Sequence, residues 1–181
     1  MKCVTENGFL QSAALAALLF AAGNSVAADA SLDDATVMAI VDQSDTADIL
    51  LGRLAAKQGG SEDVRKLGKM LALEHESVQQ VGRELAKRLD VVPSLPKDDT
   101  SISNLANTIA TLQSKSGAEF DAAYLPYEIK FHQAVIDTVN KNLLPAVKNE
   151  ELRAHLQKTL PGLERHLNEV RSAAQKLGIN S

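Results

Sequence analysis

Apolar residues recur three and four apart along most of this chain, the spacing of one buried helical face. Val37, Ile40, Val41, Leu51, Leu54 and Ala55 predict a first helix from about Leu32 to Lys57, with Ser31 and Asp34 spaced as a capping box. Gly59-Gly60 ends it. Ser61 caps a second helix whose first turn carries Glu62 and Asp63, favourable beside the positive end of the helix dipole. Val64, Leu67, Leu71, Val78 and Leu85 carry that helix to about Leu89.

A longer connection follows, opening with Val91-Val92-Pro93-Ser94-Leu95-Pro96, where two prolines forbid a continuous helix. Ile102, Leu105, Ile109 and Leu112 predict a short amphipathic helix within it. Ser116 and Glu119 read as a second capping box, opening a third long helix that extends to about Asn142, before Pro145. A fourth begins near Asn149 and closes at Leu177, with Gly178 as its C′ residue. Leu160-Pro161-Gly162 either bends this last helix or divides it in two. No strand signal and no simple repeat is present. Two short turns and one long crossover carrying a short extra helix predict an all-α fold, a ferritin-like four-helix bundle.

The N-terminus reads differently. Lys2 precedes an apolar run from Phe9 to Ala22 that ends near Ser25-Val26-Ala27, the plan of a signal peptide cleaved after Ala27 or Ala28, although Glu6 is atypical there. Residues 1–27 are thus expected to be removed, leaving one domain over 28–181; an uncleaved anchor is the alternative. The run is shorter than the roughly 20 residues of a bilayer span, and no later segment qualifies. Periplasmic or secreted placement follows as an expectation, with outer-membrane association left open. The only cysteine, Cys3, lies ahead of the apolar run, so the mature chain would have neither thiol nor disulfide.

Charge and composition narrow the function classes. The net charge of −4 implies no nucleic-acid patch, and aromatics at 3% with no Trp supply no stacking platform for bases or sugars. An ion or a partner helix suits such a chain better.

Polar side chains on apolar helical faces supply the candidate chemistry. Asp48, His75, His132 and His166 occupy such positions on four different predicted helices, where burial is costly unless they meet each other or an ion. At 1.5 Å per residue, Asp48 lies about 17 Å before the first turn and His75 about 21 Å after it; Glu128, His132 and His166 lie at roughly 27, 21 and 30 Å around the second. All five can reach one region. Three imidazoles with one or two carboxylates suit zinc or ferrous iron, while copper and manganese also remain compatible. Glu128, four residues before His132, reads either as a ligand or as a solvated residue, because this helix has two overlapping inward stripes. Asp48 could instead pair with His75 without a metal. Asp121 and Tyr124 are candidate supporting groups, though a Tyr on an apolar face is ordinarily core. His155 sits about 16 Å from His166 along the axis, outside the cluster. Glu74, Glu76 and Glu164 read as surface charges.

Leu54-Ala55-Ala56-Lys57, Glu74-His75, Gly117 through Tyr124, His132 and Leu160 through Leu167 together resemble a bacterial secreted family called domain of unknown function 4142. The resemblance runs from about Val37 to Leu177 and implies a ferritin-like fold, with His75, His132, His166 and Asp48 at its characteristic positions. This chain has Glu74 where that family usually has Asp. It brings no reaction. Di-iron ferritin-like proteins carry Glu-x-x-His on two helices, whereas Ala72 and Leu163 stand three residues before His75 and His166, so ferroxidase activity is not expected. Two readings remain. One is an exported bundle holding a transition metal. The other is a metal-free envelope protein that binds a protein partner or protects against stress, using the crossover and Ala-rich faces.

Overall fold

The computed structural model describes residues 32–179, which are helical with no strand among them. The expected signal peptide, Cys3 and the Ser31 cap lie outside the described residues. Four long helices, α1 (Asp34–Gln58), α2 (Glu62–Arg88), α4 (Gly117–Thr138) and α5 (Glu150–Lys176), are joined by a crossover carrying the shorter α3 (Ser101–Gln113). A π turn (Val139–Leu143) and one further helical turn (Leu144–Ala146) extend α4. No described helix is long and apolar enough to cross a membrane.

Local chemistry accounts for most boundaries. Asp33 caps α1 by accepting from the Thr36 amide, while Asp34 reaches across to accept from the Lys148 and Asn149 amides where α5 begins. Ser61 and Asn149 cap α2 and α5 as their types predict. Gly178, at φ 66°, closes α5 in a Schellman arrangement, with the Ile179 amide returning to the Ala174 carbonyl. The expected Ser116 cap does not form: Ser116 makes no side-chain capping bond, and the chain enters α4 through left-handed Gly117 at φ 57°. Pro161 neither divides α5 nor ends it. The carbonyl it deprives of a partner belongs to Gln157, which is exposed and can bond water instead.

Two glycine contacts set the helix positions. A Cβ on Gly52 would lie 2.6 Å from the Gly68 carbonyl oxygen, and one on Gly68 would lie 2.6 Å from that of Gly52. The backbones of α1 and α2 therefore touch, one turn from Asp48 and two turns from His75. At the end of this pair, a Cβ on Gly60 would strike the Gly117 backbone at 2.4 Å. There the buried Asp121 carboxylate accepts from the Gly60 and Ser61 amides, both at 2.8 Å, pinning the α1–α2 turn onto α4. Apolar side chains of all four long helices, among them Leu51, Leu71, Leu125 and Leu156, fill the shared core, and Leu105 and Leu112 of α3 join it.

Candidate metal centre

Asp48 on α1, His75 on α2, Glu128 and His132 on α4 and His166 on α5 are all buried, none more than 4% exposed. The ring centroids of His75, His132 and His166 lie 5.0 to 5.8 Å apart. Their ligand atoms form one group that could hold a metal ion, and those of Asp48, Glu128 and His132 form an adjoining one.

Each imidazole turns one nitrogen outward to an oxygen, and that of His166 also lies 3.4 Å from an Arg165 guanidinium nitrogen. His75 Nδ1 meets Asp45 Oδ1 at 2.8 Å, His132 Nδ1 meets the Glu128 carbonyl at 3.1 Å, and His166 Nε2 meets Glu74 Oε2 at 2.9 Å. In neutral rings these oxygens favour protons on the outer nitrogens, so His75 Nε2, His132 Nε2 and His166 Nδ1 become available as ligand atoms once His75 and His132 give up their second protons. The inner atoms converge. His75 Nε2 and His166 Nδ1 are 3.2 Å apart, while Asp48 places Oδ2 3.4 Å from His75 Nε2 and Oδ1 3.9 Å from His132 Nε2. Facing lone pairs repel unless a cation, or a second proton on His75, lies between them. His132 Nε2, Asp48 Oδ1, Glu128 Oε1 and the Tyr124 hydroxyl are buried without hydrogen-bond partners, while Glu128 Oε2 has only the His132 Nδ1 contact at 3.3 Å. Such orphaned groups are costly in a protein interior and call for a counterpart.

Burial and mutual charge shift the cluster strongly. Burial opposes protonation of His132, but the Asp48 and Glu128 carboxylates outweigh it and push this imidazole up to about 9. His75 is likewise raised, by Asp48 and Asp45 acting against burial. His166 falls to about 4, through burial and the neighbouring histidines. Burial lifts Glu128 to about 7, helped by Asp48, and lifts Asp45 to about 6. Acids and bases this perturbed within one buried cluster are a mark of a functional site.

The model of a family described as a domain of unknown function, DUF4142, matches residues 20–173. The chain belongs to this family. No curated protein and no solved structure matches it.

In this DUF4142 protein two site residues escape sequence reasoning. Asp45 lies three positions before Asp48 on the same face of α1, and that spacing was the available signal. Glu74, expected to be a surface charge pointing elsewhere, has a side chain 40% exposed yet joins His166 to Arg165. Glu76 pairs with Arg53 on the surface, and Glu164 is exposed, as expected. Asp121 serves the α1–α2 turn rather than the histidines, while Tyr124 is core, its hydroxyl pushed up by burial and by Glu128. His155 stands outside both ligand groups.

Asp48, His75 and His166 also border a cavity of about 320 Å³, which His132 and Glu128 do not line.

Proposed function

We propose that this protein is an exported, ferritin-like four-helix bundle that binds a divalent transition metal, zinc or ferrous iron, through His75, His132, His166 and Asp48, with Glu128 beside them. The single observation carrying this reading is the direction of the ring nitrogens. Each ring turns one nitrogen outward to an oxygen, while the three imidazoles offer ligand atoms within 4.8 Å of one another and Asp48 lies against His75 and His132. Outer-sphere acceptors of this kind orient imidazole ligands and increase their basicity. Asp45, the Glu128 carbonyl and Glu74 would fill that role.

The reading assigns binding rather than a reaction. A predominantly imidazole donor set without paired Glu-x-x-His motifs does not favour ferroxidase chemistry. A bound ion would supply positive charge among the Asp48 and Glu128 carboxylates and Lewis acidity toward any further ligand. Export rests on the leader-like residues 1–27, and placement in the periplasm, with or without outer-membrane association, belongs to the same proposal.

The test is thermal unfolding of the chain from residue 28, with zinc or with chelator. An ion that binds only the folded state adds about 2.7 kcal/mol of stability at one hundred times its Kd. Zinc should raise the Tm, and His75→Ala should abolish the rise. Identical curves for the native protein under both conditions would sink the proposal.

A second reading, a metal-free envelope interaction protein, is favoured by one observation. Val92 and Ile102 on the crossover are 82% and 63% exposed. A partner recovered from envelope extract should then be lost on Ile102→Asp. Leu105 does not serve as a probe, since it is part of the core.

A further inference from the structure

We infer that the centre holds two divalent transition-metal ions bridged by Asp48, one on His75 and His166 and the other on His132 and Glu128. This deepens the metal-binding reading and rests on it. The two oxygens of Asp48 serve different rings: Oδ2 lies 3.4 Å from His75 Nε2, whereas Oδ1 lies 3.9 Å from His132 Nε2. The rings divide in the same way. The centroids of His75 and His166 are 5.0 Å apart, and His132 is set off from them by 5.8 and 5.6 Å. Donors bound tetrahedrally at about 2.0–2.1 Å stand about 3.4 Å from one another. The 3.2 Å between His75 Nε2 and His166 Nδ1, and the 3.4 Å from His75 Nε2 to Asp48 Oδ2, match that spacing for one ion.

Asp48, Glu128 and His132 bring a second set of ligand atoms within 4.8 Å of one another. An ion confined to the three histidines would leave Glu128 Oε1 without a partner in a residue that is 0% exposed. Charge points the same way. Asp48, Glu128 and Asp45 pair with histidines alone, while Glu74 is balanced by Arg165. With the imidazoles neutral, three buried carboxylates leave a centre holding one divalent ion with one net negative charge, which attracts a further cation strongly where water is excluded. A carboxylate bridge suits ions about 3.5–4 Å apart. A proton shared by the Asp48 and Glu128 carboxyls would satisfy the same oxygens, and it is the alternative the test separates.

The experiment equilibrates the full mature chain with cobalt(II), counts the ions bound per chain after dialysis, and follows their electron paramagnetic resonance as loading rises. Uptake should reach two ions per chain, the second binding more weakly because Asp48 is already engaged. The signal per ion should fall on passing from one to two, since a shared carboxylate couples the two spins. Glu128→Gln keeps the shape of the side chain but removes its charge, and it should take up one ion with an uncoupled signal. If that variant misfolds, the coupling in the native protein decides. One ion per chain at saturation overturns the inference in favour of the shared proton and leaves metal binding standing. Two uncoupled ions, or two ions in a folded Glu128→Gln protein, place the second elsewhere and overturn it as well. Failure to take up cobalt overturns both.

Discussion

His75 Nε2 and His166 Nδ1 face each other across 3.2 Å while the opposite nitrogen of each ring is held by a carboxylate, Asp45 for His75 and Glu74 for His166. Two imidazoles oriented from outside in this way either share a proton directly or hold an ion between them. The outer carboxylates should therefore matter to metal affinity without touching the ion.

Asp45→Asn keeps the shape and an acceptor but removes the charge that increases the basicity of His75. Metal affinity should fall about 10- to 100-fold with helicity unchanged. Glu74→Gln should cost less, since that carboxylate is partly exposed and shared with Arg165. Competition with a chromophoric chelator reads both. Equal affinity in native and Asp45→Asn proteins would make Asp45 a packing residue only.

The stability of the metal-free protein falls with rising pH, and a bound ion removes that dependence. In the metal-free protein His132 titrates near 9 and His75 above its ordinary 6.5, so the folded state holds protons that the unfolded state releases. That contribution is complete below the ordinary histidine value and disappears as pH rises through 9. Glu128, raised to about 7, acts in the same direction at lower pH. With chelator, the Tm should fall between pH 6.5 and 9. An ion must displace the same protons, so the stabilisation by zinc should grow over that interval. Tm measured with zinc and with chelator at both ends checks the sign; a gap that narrows with rising pH contradicts the assignment.

One substitution should have opposite effects at two helical glycines. Alanine is ordinarily preferred to glycine in a helix by about 0.8–1 kcal/mol. Gly162→Ala meets open space and should stabilise by up to that amount. Gly68→Ala would place its Cβ 2.6 Å from both the Ala55 Cβ and the Gly52 carbonyl oxygen, where little can yield. It should destabilise by about 1–3 kcal/mol and, by spreading α1 from α2, weaken metal binding through Asp48 and His75. Chemical denaturation of the two variants tests this, and equal signs would refute it.

Much of the architecture was legible because its determinants are local. The 3.6-residue period, Ser61, Asn149 and Gly178 each act within a turn or two of their own position, and the helices they mark lie within a few residues of the expected bounds. Axial depth alone also indicated that Asp48, His75, Glu128, His132 and His166 could meet, since antiparallel packing turns sequence distance from a turn into height. Angular position was harder to read. Glu74 faces away from the α2 stripe that carries His75, yet α5 packs along that flank and brings His166 to it. Asp34 read as part of a local cap, but its carboxylate bonds amides more than a hundred residues away. Ser116 carried a capping signal that left-handed Gly117 overrides. Long-range backbone contacts of this kind leave no periodic trace.

The most direct test of the central claim is elemental analysis of the untagged mature protein, purified without chelator from its native envelope, beside a His75→Ala/His166→Ala variant of verified helicity. Near-stoichiometric zinc or iron in the native protein and its loss in the variant are the predicted result. A metal-free native protein, as stable as the variant, would contradict the account and leave the three histidines as a buried hydrogen-bonded cluster.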